Sequence, residues 1–121
     1  MSEKKTLVLG ASTNPERYAF KAVNRLVQHH HPVVAVGLKE GAIAGVEIEK
    51  PGTIHSDINT ISLYVGPAHQ AVYYDYILKT NPQRVIFNPG TENAELQQML
   101  TEKGIGYEHA CTLVLLSIGD Y

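Results

Sequence analysis

The first 36 residues are predicted to contain a strand, a helix and a second strand, an order that indicates an α/β fold. Leu7-Val-Leu-Gly10 is a short apolar run that ends at glycine, which is typical of a buried strand. After a polar loop, apolar residues recur with helical spacing at Ala19, Ala22, Val23, Leu26 and Val27. Pro32 disfavours helical geometry in the residue before it, and residues 33–36 form a second apolar run. The segment is therefore predicted to be a right-handed βαβ unit.

The remaining chain continues this alternation. Ile61-Ser-Leu-Tyr-Val65 and Arg84-Val-Ile-Phe87 are predicted strands. A helix is predicted from about residue 68 to 79, with its inner face formed by Val72, Tyr73, Tyr76 and Ile77. Another helix is predicted where apolar residues recur before Gly104, at Ala94, Leu96, Met99 and Leu100.

Three segments carry weaker signals. Residues 37–57 are rich in glycine and are predicted to form a loop with a short strand around 46–48. Residues 106–108 are predicted to be a weak last strand, and the apolar residues 111–118 fit either a helix or a strand. Strands that alternate with helices indicate a mostly parallel sheet with helices on both faces. We therefore expect residues 1–121 to form a single Rossmann-like α/β domain of three layers, with the first strand at the centre.

Charge and cysteine content limit the possible partners and location. The formal net charge is −2, and lysines and arginines are scattered, so no basic face for nucleic acid is expected. Cys111 is the only cysteine, which rules out an internal disulfide and favours a reducing compartment. The apolar run after the charged residues 1–6 is too short for a signal peptide or a membrane span. We expect a cytoplasmic protein that binds neither nucleic acid nor membrane.

The loops that follow the predicted strands indicate where a ligand would bind. In parallel sheets of this type the ligand lies beyond the carboxyl ends of the strands, where strand order reverses. The loops that qualify are residues 10–17, 37–41, 65–68 and 88–92, and each contains glycine. Glycine allows backbone N–H groups to approach a phosphate, and the following helix N-terminus adds partial positive charge. The alternative is that these glycines only turn the chain.

The first loop departs from the dinucleotide-binding fingerprint. That fingerprint is G-x-G-x-x-G, whereas Gly10-Ala-Ser-Thr-Asn-Pro15 keeps only the first glycine. The strand after the first helix ends in Val36-Gly37-Leu38, without an acidic residue to bind a ribose 2′-hydroxyl. Both departures make NAD or NADP a less favoured cofactor.

Three motifs together resemble a known family. Gly10-Ala-Ser-x-x-Pro-x-Arg17 followed by a helix and Val33-Val-Ala-Val36 resembles the opening of the small coenzyme A-binding domain family. That family is similar to the N-terminal domain of the succinyl-CoA synthetase α subunit. Phe87-Asn-Pro-Gly-Thr-Glu-Asn93 and His109-Ala-Cys111 resemble two later motifs of the family. Ala19, Gly37-Leu38 and the order Glu92-Asn93 depart from its usual pattern.

The resemblance implies that coenzyme A binds at the loop after the first strand. Ser12 would offer its hydroxyl and N–H to a phosphate, Arg17 its guanidinium fork and Lys39 its ammonium group. The alternatives are a turn contact for Ser12 and solvated surface positions for the two cations. Together with the loop positions, the resemblance gives these candidate cofactor-binding residues: Gly10, Ala11, Ser12, Arg17, Tyr18, Gly37, Lys39, Val65, Pro67, Asn88 and Gly90.

Other reactive side chains give little support for catalysis. Adjacent histidines at 29–31 point in different directions on a helix, so no metal site is predicted there. Cys111 could be a reactive thiol or a small buried residue. The G-x-S-x-G elbow of serine hydrolases is missing, and no paired carboxylates stand at a plausible site, so no catalytic residue is predicted.

Three functions therefore remain open. The favoured one is a protein that binds coenzyme A or an acyl-CoA without catalytic machinery of its own, as a carrier, a sensor or a subunit. The second is an enzyme, either an NAD(P)-dependent oxidoreductase or a trans-acting part of an acyl-CoA ligase. The third is an interaction module with a vestigial pocket. Each is compatible with a protein partner or a homo-oligomer.

Overall fold

A computed structural model describes residues 3–121, and within them seven strands form one sheet. The strands are β1 (Thr6–Leu9), β2 (Val33–Val36), β3 (Ala42–Ile43), β4 (Val46–Glu49), β5 (Thr60–Leu63), β6 (Arg84–Phe87) and β7 (Gly106–His109). The α-helices are α1 (Tyr18–Gln28), α2 (Tyr74–Thr80), α3 (Ala94–Lys103) and α4 (Thr112–Ser117). In this part of the chain, no helix is long and apolar enough to cross a membrane.

The strand order is β3-β4-β2-β1-β5-β6-β7, which places β1 in the middle. All neighbouring strands pair in parallel except β3 and β4, which are antiparallel. On β1, Thr6 is in register with Val33 of β2 on one side and with Thr60 of β5 on the other. The predicted Rossmann-like α/β fold with a mostly parallel sheet and a central first strand is confirmed.

Side chains of β1 alternate between two apolar cores, one on each face of the sheet. Leu7 and Leu9 belong to the core under α2 and α3, with Ile77, Leu96 and Leu100. Val8 points to the other face and packs with residues of α1 and α4, among them Ala19, Val23, Leu26 and Leu116. Successive side chains of a strand point to opposite faces, so the apolar residues 7–9 of β1 must be covered on both faces. This explains the three layers.

The helix ends follow from local sequence signals. The Asn93 side-chain oxygen accepts hydrogen bonds from the N–H groups of Glu95 and Leu96 and so caps the start of α3. Gly104 ends that helix with a left-handed φ of 78°. The ambiguous apolar tail forms a helix, α4, because Leu116 is buried in the core shared with α1.

The predicted regular helix over residues 68–79 is wrong. The segment forms two 3-10 turns, Pro67–His69 and Ala71–Tyr73, before α2 begins. Val72, predicted to face inward, is 81% exposed. The reason is Gln70, whose fully buried amide donates to backbone carbonyls of two separate loops and takes the inward position. Of the predicted inner face, Tyr76 and Ile77 are buried and Tyr73 is half-buried.

A short hairpin accompanies the strand predicted near residues 46–48. β4 confirms that strand, and the two residues of β3 pair with it across a turn formed by Ala44 and Gly45. Both turn residues have positive φ, 52° and 81°, as tight hairpin turns require. Two residues are too few for a strand signal in sequence, so β3 escaped prediction.

The end of β2 lies against the end of β1 at Gly37. A Cβ added to this residue would lie 2.3 Å from the carbonyl oxygen of Ala11. The Gly37 N–H donates to the Glu49 carbonyl at 3.0 Å, which fixes the residue from the other side. Any larger residue must therefore push apart the loops that follow β1 and β2.

Gly37→Ala is expected to lower the free energy of unfolding by about 1–3 kcal/mol, the usual cost of forcing an extra carbon into a packed site. Gly66→Ala is the matched control, because its Cβ would meet open space and its φ is −64°. That variant should be unchanged or stabilised by up to about 1 kcal/mol. Urea denaturation measures both, and equal stabilities would contradict the close approach at Gly37.

Val8→Asp is expected to unfold the domain. Val8 is fully buried in the central strand, and an unpaired buried carboxylate costs several kcal/mol against a total stability of about 5–15 kcal/mol. Val114→Asp, at a position that is 52% exposed on α4, should change stability by only about 0.5 kcal/mol. Circular dichroism at 25 °C distinguishes the two, and a folded Val8→Asp protein would contradict the burial of β1.

Candidate functional site

A cleft of about 610 Å³ opens at the carboxyl ends of β2, β1 and β5. Its walls come from residues 10–13 and Arg17 after β1, residues 37–39 after β2, and residues 64–66 after β5. Strand order reverses at β1, since β2, β3 and β4 lie on one side of it and β5, β6 and β7 on the other. The cleft therefore lies where parallel α/β sheets place ligands, and its volume is within the range of small-molecule sites.

Most of the candidate residues line this cleft. Those in its walls are Gly10, Ala11, Ser12, Arg17, Gly37, Lys39 and Val65. Four others are outside the lining: Tyr18, Pro67, Asn88 and Gly90. Tyr18 is 65% exposed, with the Lys21 ammonium 5.3 Å from its ring centre. Pro67 starts the first 3-10 turn, and Gly90 has φ of 92° in the turn after β6.

Asn88 is a buried structural residue. Its amide nitrogen donates to the Ser62 hydroxyl at 3.0 Å and to the Leu63 carbonyl at 2.9 Å. Its oxygen accepts from the Thr112 N–H at 2.9 Å. Both amide protons and the oxygen are thus engaged, so the side chain joins β6 to β5 and to the start of α4. It is 1% exposed, which leaves no room for a ligand.

The backbone after β1 offers fewer free donors than its glycine suggests. The N–H groups of Gly10 and Ala11 both donate to the Val36 carbonyl at 2.9 Å. Gly10 has φ of 99°, and a Cβ there would lie 3.0 Å from the Tyr64 carbonyl oxygen, so packing between strand ends explains this glycine. Within residues 3–121 the N–H groups of Ser12 and Thr13 donate to no acceptor. These two can bind an anion.

The N-terminus of α1 adds further donors beside them. Arg17 precedes the helix in an extended conformation and makes no side-chain capping hydrogen bond. The first turn contains no acidic residue. A helix of 11 residues with an uncapped first turn presents N–H groups and partial positive charge to an anion. The Ser12 hydroxyl accepts from the Asn14 N–H at 3.1 Å and stabilises the loop that leads to it.

The cleft is positively charged, although the chain is not. Arg17 and Lys39 are among its lining residues, and none of the described residues in its walls is aspartate or glutamate. Burial raises the pKa of Tyr64 to about 12, so this phenol stays neutral at physiological pH. The cleft thus has a net positive charge in a chain whose formal net charge is −2.

A buried amide fixes the wall after β5. Gln70 donates to the Val65 carbonyl and to the Thr91 carbonyl, both at 2.7 Å. Its oxygen accepts from the Asn93 amide at 2.8 Å, and Asn93 caps α3. The sequence prediction missed this residue and the neighbouring wall residues Tyr64, His69, Val72 and Tyr73. The one sequence signal against a regular helix from residue 68 was Pro67, directly after Gly66.

Two other predicted groups lie elsewhere. His31 accepts the Lys4 N–H at 3.0 Å and packs against the Tyr121 ring, at the opposite edge of the sheet. Burial lowers its pKa. Cys111 is half-buried and directly precedes α4. Neither residue lines the cleft.

Solved structures share this fold along nearly the whole chain. A crystal structure of an uncharacterized protein is 45% identical, with a TM-score of 0.96 and 100% of both chains covered. A hypothetical protein from Pyrococcus horikoshii OT3 is 28% identical, with a TM-score of 0.79, covering 93% of this chain and 80% of its own. Cell-free ID.343 from Thermus thermophilus, 20% identical with a TM-score of 0.81 over 98% and 91%, supports the fold alone.

No curated protein matches the chain. The sequence profile of the CoA binding domain family, in contrast, matches residues 4–117, nearly all of the sequence. The match includes every strand and helix described above, and with them the loops that form the cleft. The chain belongs to the CoA binding domain family.

Proposed function

We propose that the protein binds coenzyme A or an acyl-CoA in this cleft, with the pyrophosphate at the loop after β1. The observation that supports this most directly is the charge of the cleft, which has Arg17 and Lys39 in its walls and no carboxylate among the described lining residues. A pyrophosphate carries negative charge on every phosphoryl group and needs such surroundings. Family membership supports coenzyme A as the ligand.

The pyrophosphate would be held by backbone and side chain together. The free N–H groups of Ser12 and Thr13 and the uncapped first turn of α1 are donors, and the Arg17 guanidinium supplies a full charge. The Gly10 and Ala11 N–H groups do not take part, since both donate to Val36. They hold the loop in place instead.

Coenzyme A fits the end of β2 better than NAD does. NAD-binding folds place an acidic residue there for the ribose hydroxyls, whereas this chain has Leu38 and Lys39. The Lys39 ammonium group adds positive charge for the pyrophosphate of coenzyme A. Leu38 is 72% exposed and lines the cleft, so it offers apolar surface to the adenine ring. The protein would then act as a carrier, a sensor or the CoA-binding subunit of an assembly.

Coenzyme A is expected to raise the melting temperature more than NAD or NADP at equal concentration. A ligand present at a hundred times its Kd stabilises the folded state by about 2.7 kcal/mol, which is readily detected by differential scanning fluorimetry. The missing acidic residue after β2 disfavours NAD, and the two missing glycines of the first loop disfavour both dinucleotides. An equal or larger shift with NAD would refute the choice of coenzyme A.

Arg17→Ala is expected to weaken coenzyme A binding by about ten- to a hundredfold, because one charge-assisted contact of about 1.5–3 kcal/mol is lost. Added salt should weaken binding more in the parent than in the variant, since screening acts on the charge that was removed. Isothermal titration calorimetry at low and high salt measures both effects.

Arg25→Ala serves as the matched control, because Arg25 lies on the exposed face of the same helix and outside the cleft. It should leave the affinity unchanged. If Arg17→Ala binds as tightly as Arg25→Ala at both salt concentrations, Arg17 is a surface residue and the proposed phosphate site is wrong.

A further inference from the structure

A second cleft, of about 570 Å³, adjoins the first. Leu38, Val72 and Tyr73 line both, so the two clefts form one continuous depression with these three side chains at the boundary. The far side of the second cleft is formed by residues 50–52 and Ile54 after β4. An extended ligand that starts in the first cleft can therefore continue into the second.

Lys50 is brought to this boundary by strand pairing. The Gly37 N–H donates to the Glu49 carbonyl at 3.0 Å, so Lys50 follows β4 directly beside the point where Leu38 follows β2. Lys50 is exposed and forms no ion pair within residues 3–121. The other charged residues of the second cleft, Asp75 and Lys79, pair with each other at 2.9 Å. Lys50 thus leaves this cleft with one net positive charge.

The boundary itself is apolar and accessible. Leu38 is 72% exposed, Val72 81% and Ile54 44%. Large apolar side chains exposed next to one another lose contact with water when a planar ring packs on them. A positive charge immediately beyond an apolar boundary suits a ligand part that combines a flat ring with an anion.

We propose that the second cleft binds the phosphorylated ribose of the ligand, and that Lys50 pairs with the 3′-phosphate of coenzyme A. This rests on the proposed function, because the pyrophosphate must lie in the first cleft for the adenosine to reach the second. The adenosine is joined directly to the pyrophosphate, whereas the acyl group is at the far end of the pantetheine arm. Lys50 thereby distinguishes coenzyme A from ligands that lack a phosphate on the ribose.

The adenosine 2′-phosphate of NADP has the same chemistry, so the experiment must separate the two sources. Isothermal titration calorimetry is carried out with coenzyme A, dephospho-CoA and NADP on the full chain and on Lys50→Gln. The parent is expected to bind coenzyme A about five- to twentyfold more tightly than dephospho-CoA, as one charge-assisted contact allows. Lys50→Gln should lose most of this preference and bind dephospho-CoA with unchanged affinity.

Lys103→Gln is the matched control. Lys103 ends α3 and is absent from the lining of both clefts, and glutamine can still donate to the Leu78 carbonyl that Lys103 contacts. It should keep the full preference for coenzyme A. The melting temperatures of both unliganded variants should equal that of the parent, since both lysines are exposed.

Each remaining outcome overturns the inference in a recognisable way. Lys50 does not recognise the 3′-phosphate if the parent binds coenzyme A and dephospho-CoA with equal affinity. The same conclusion follows if Lys50→Gln lowers the affinity for both ligands equally. In either case the proposed binding of coenzyme A stands. If the parent binds NADP more tightly than coenzyme A and Lys50→Gln removes that difference, the second cleft binds a 2′-phosphate instead. Failure of the parent to bind coenzyme A at all refutes the proposed function together with this inference.

Discussion

The structure depends on how closely the ends of β1 and β2 approach each other. The Val36 carbonyl accepts two hydrogen bonds, from the N–H groups of Gly10 and Ala11, and Gly37 leaves no space for a Cβ against the Ala11 carbonyl. The loop after β1 is thereby fixed to the end of β2 before it turns toward α1. Without this contact the two loops would separate, and the positive charges of Arg17 and Lys39 would no longer line the same cleft.

On the other side of the cleft, buried amide side chains connect the loops by hydrogen bonds. Gln70 connects the Val65 carbonyl in the cleft wall to the loop after β6 and to Asn93 at the start of α3. Asn88 connects β6 to the Leu63 carbonyl at the end of β5 and to α4. Buried polar groups must be paired, so each of these amides holds the backbone groups to which it is hydrogen-bonded. Hydrogen bonds thus hold the cleft walls on both sides of β1.

The charge distribution gives the cleft its chemical character. A chain with a net charge of −2 presents Arg17, Lys39 and Lys50 along one edge of its sheet, while its carboxylates lie outside the first cleft. An anion that reaches this edge meets these cations and the unpaired N–H groups of Ser12 and Thr13. The backbone donors are held by the loop, whereas ordering the exposed cations on an anion costs side-chain entropy.

Local patterns in the sequence were enough to determine the fold class. Alternating apolar runs and helical spacing predicted β1, α1, β2, β5, β6 and α3, because these signals depend on neighbouring residues only. The motif after β1 likewise gave the candidate binding loop. The tertiary structure decided what depends on distant residues. Gln70 and Asn88 are similar amides in sequence, yet the path of 67–80 and the burial of Asn88 follow from partners 21 to 26 positions away. Likewise, the approach of Lys50 to Leu38 exists only because β4 pairs with β2. Hydrogen-bond partners and neighbouring strand ends are set by the packed fold, and for that reason no local pattern contains them.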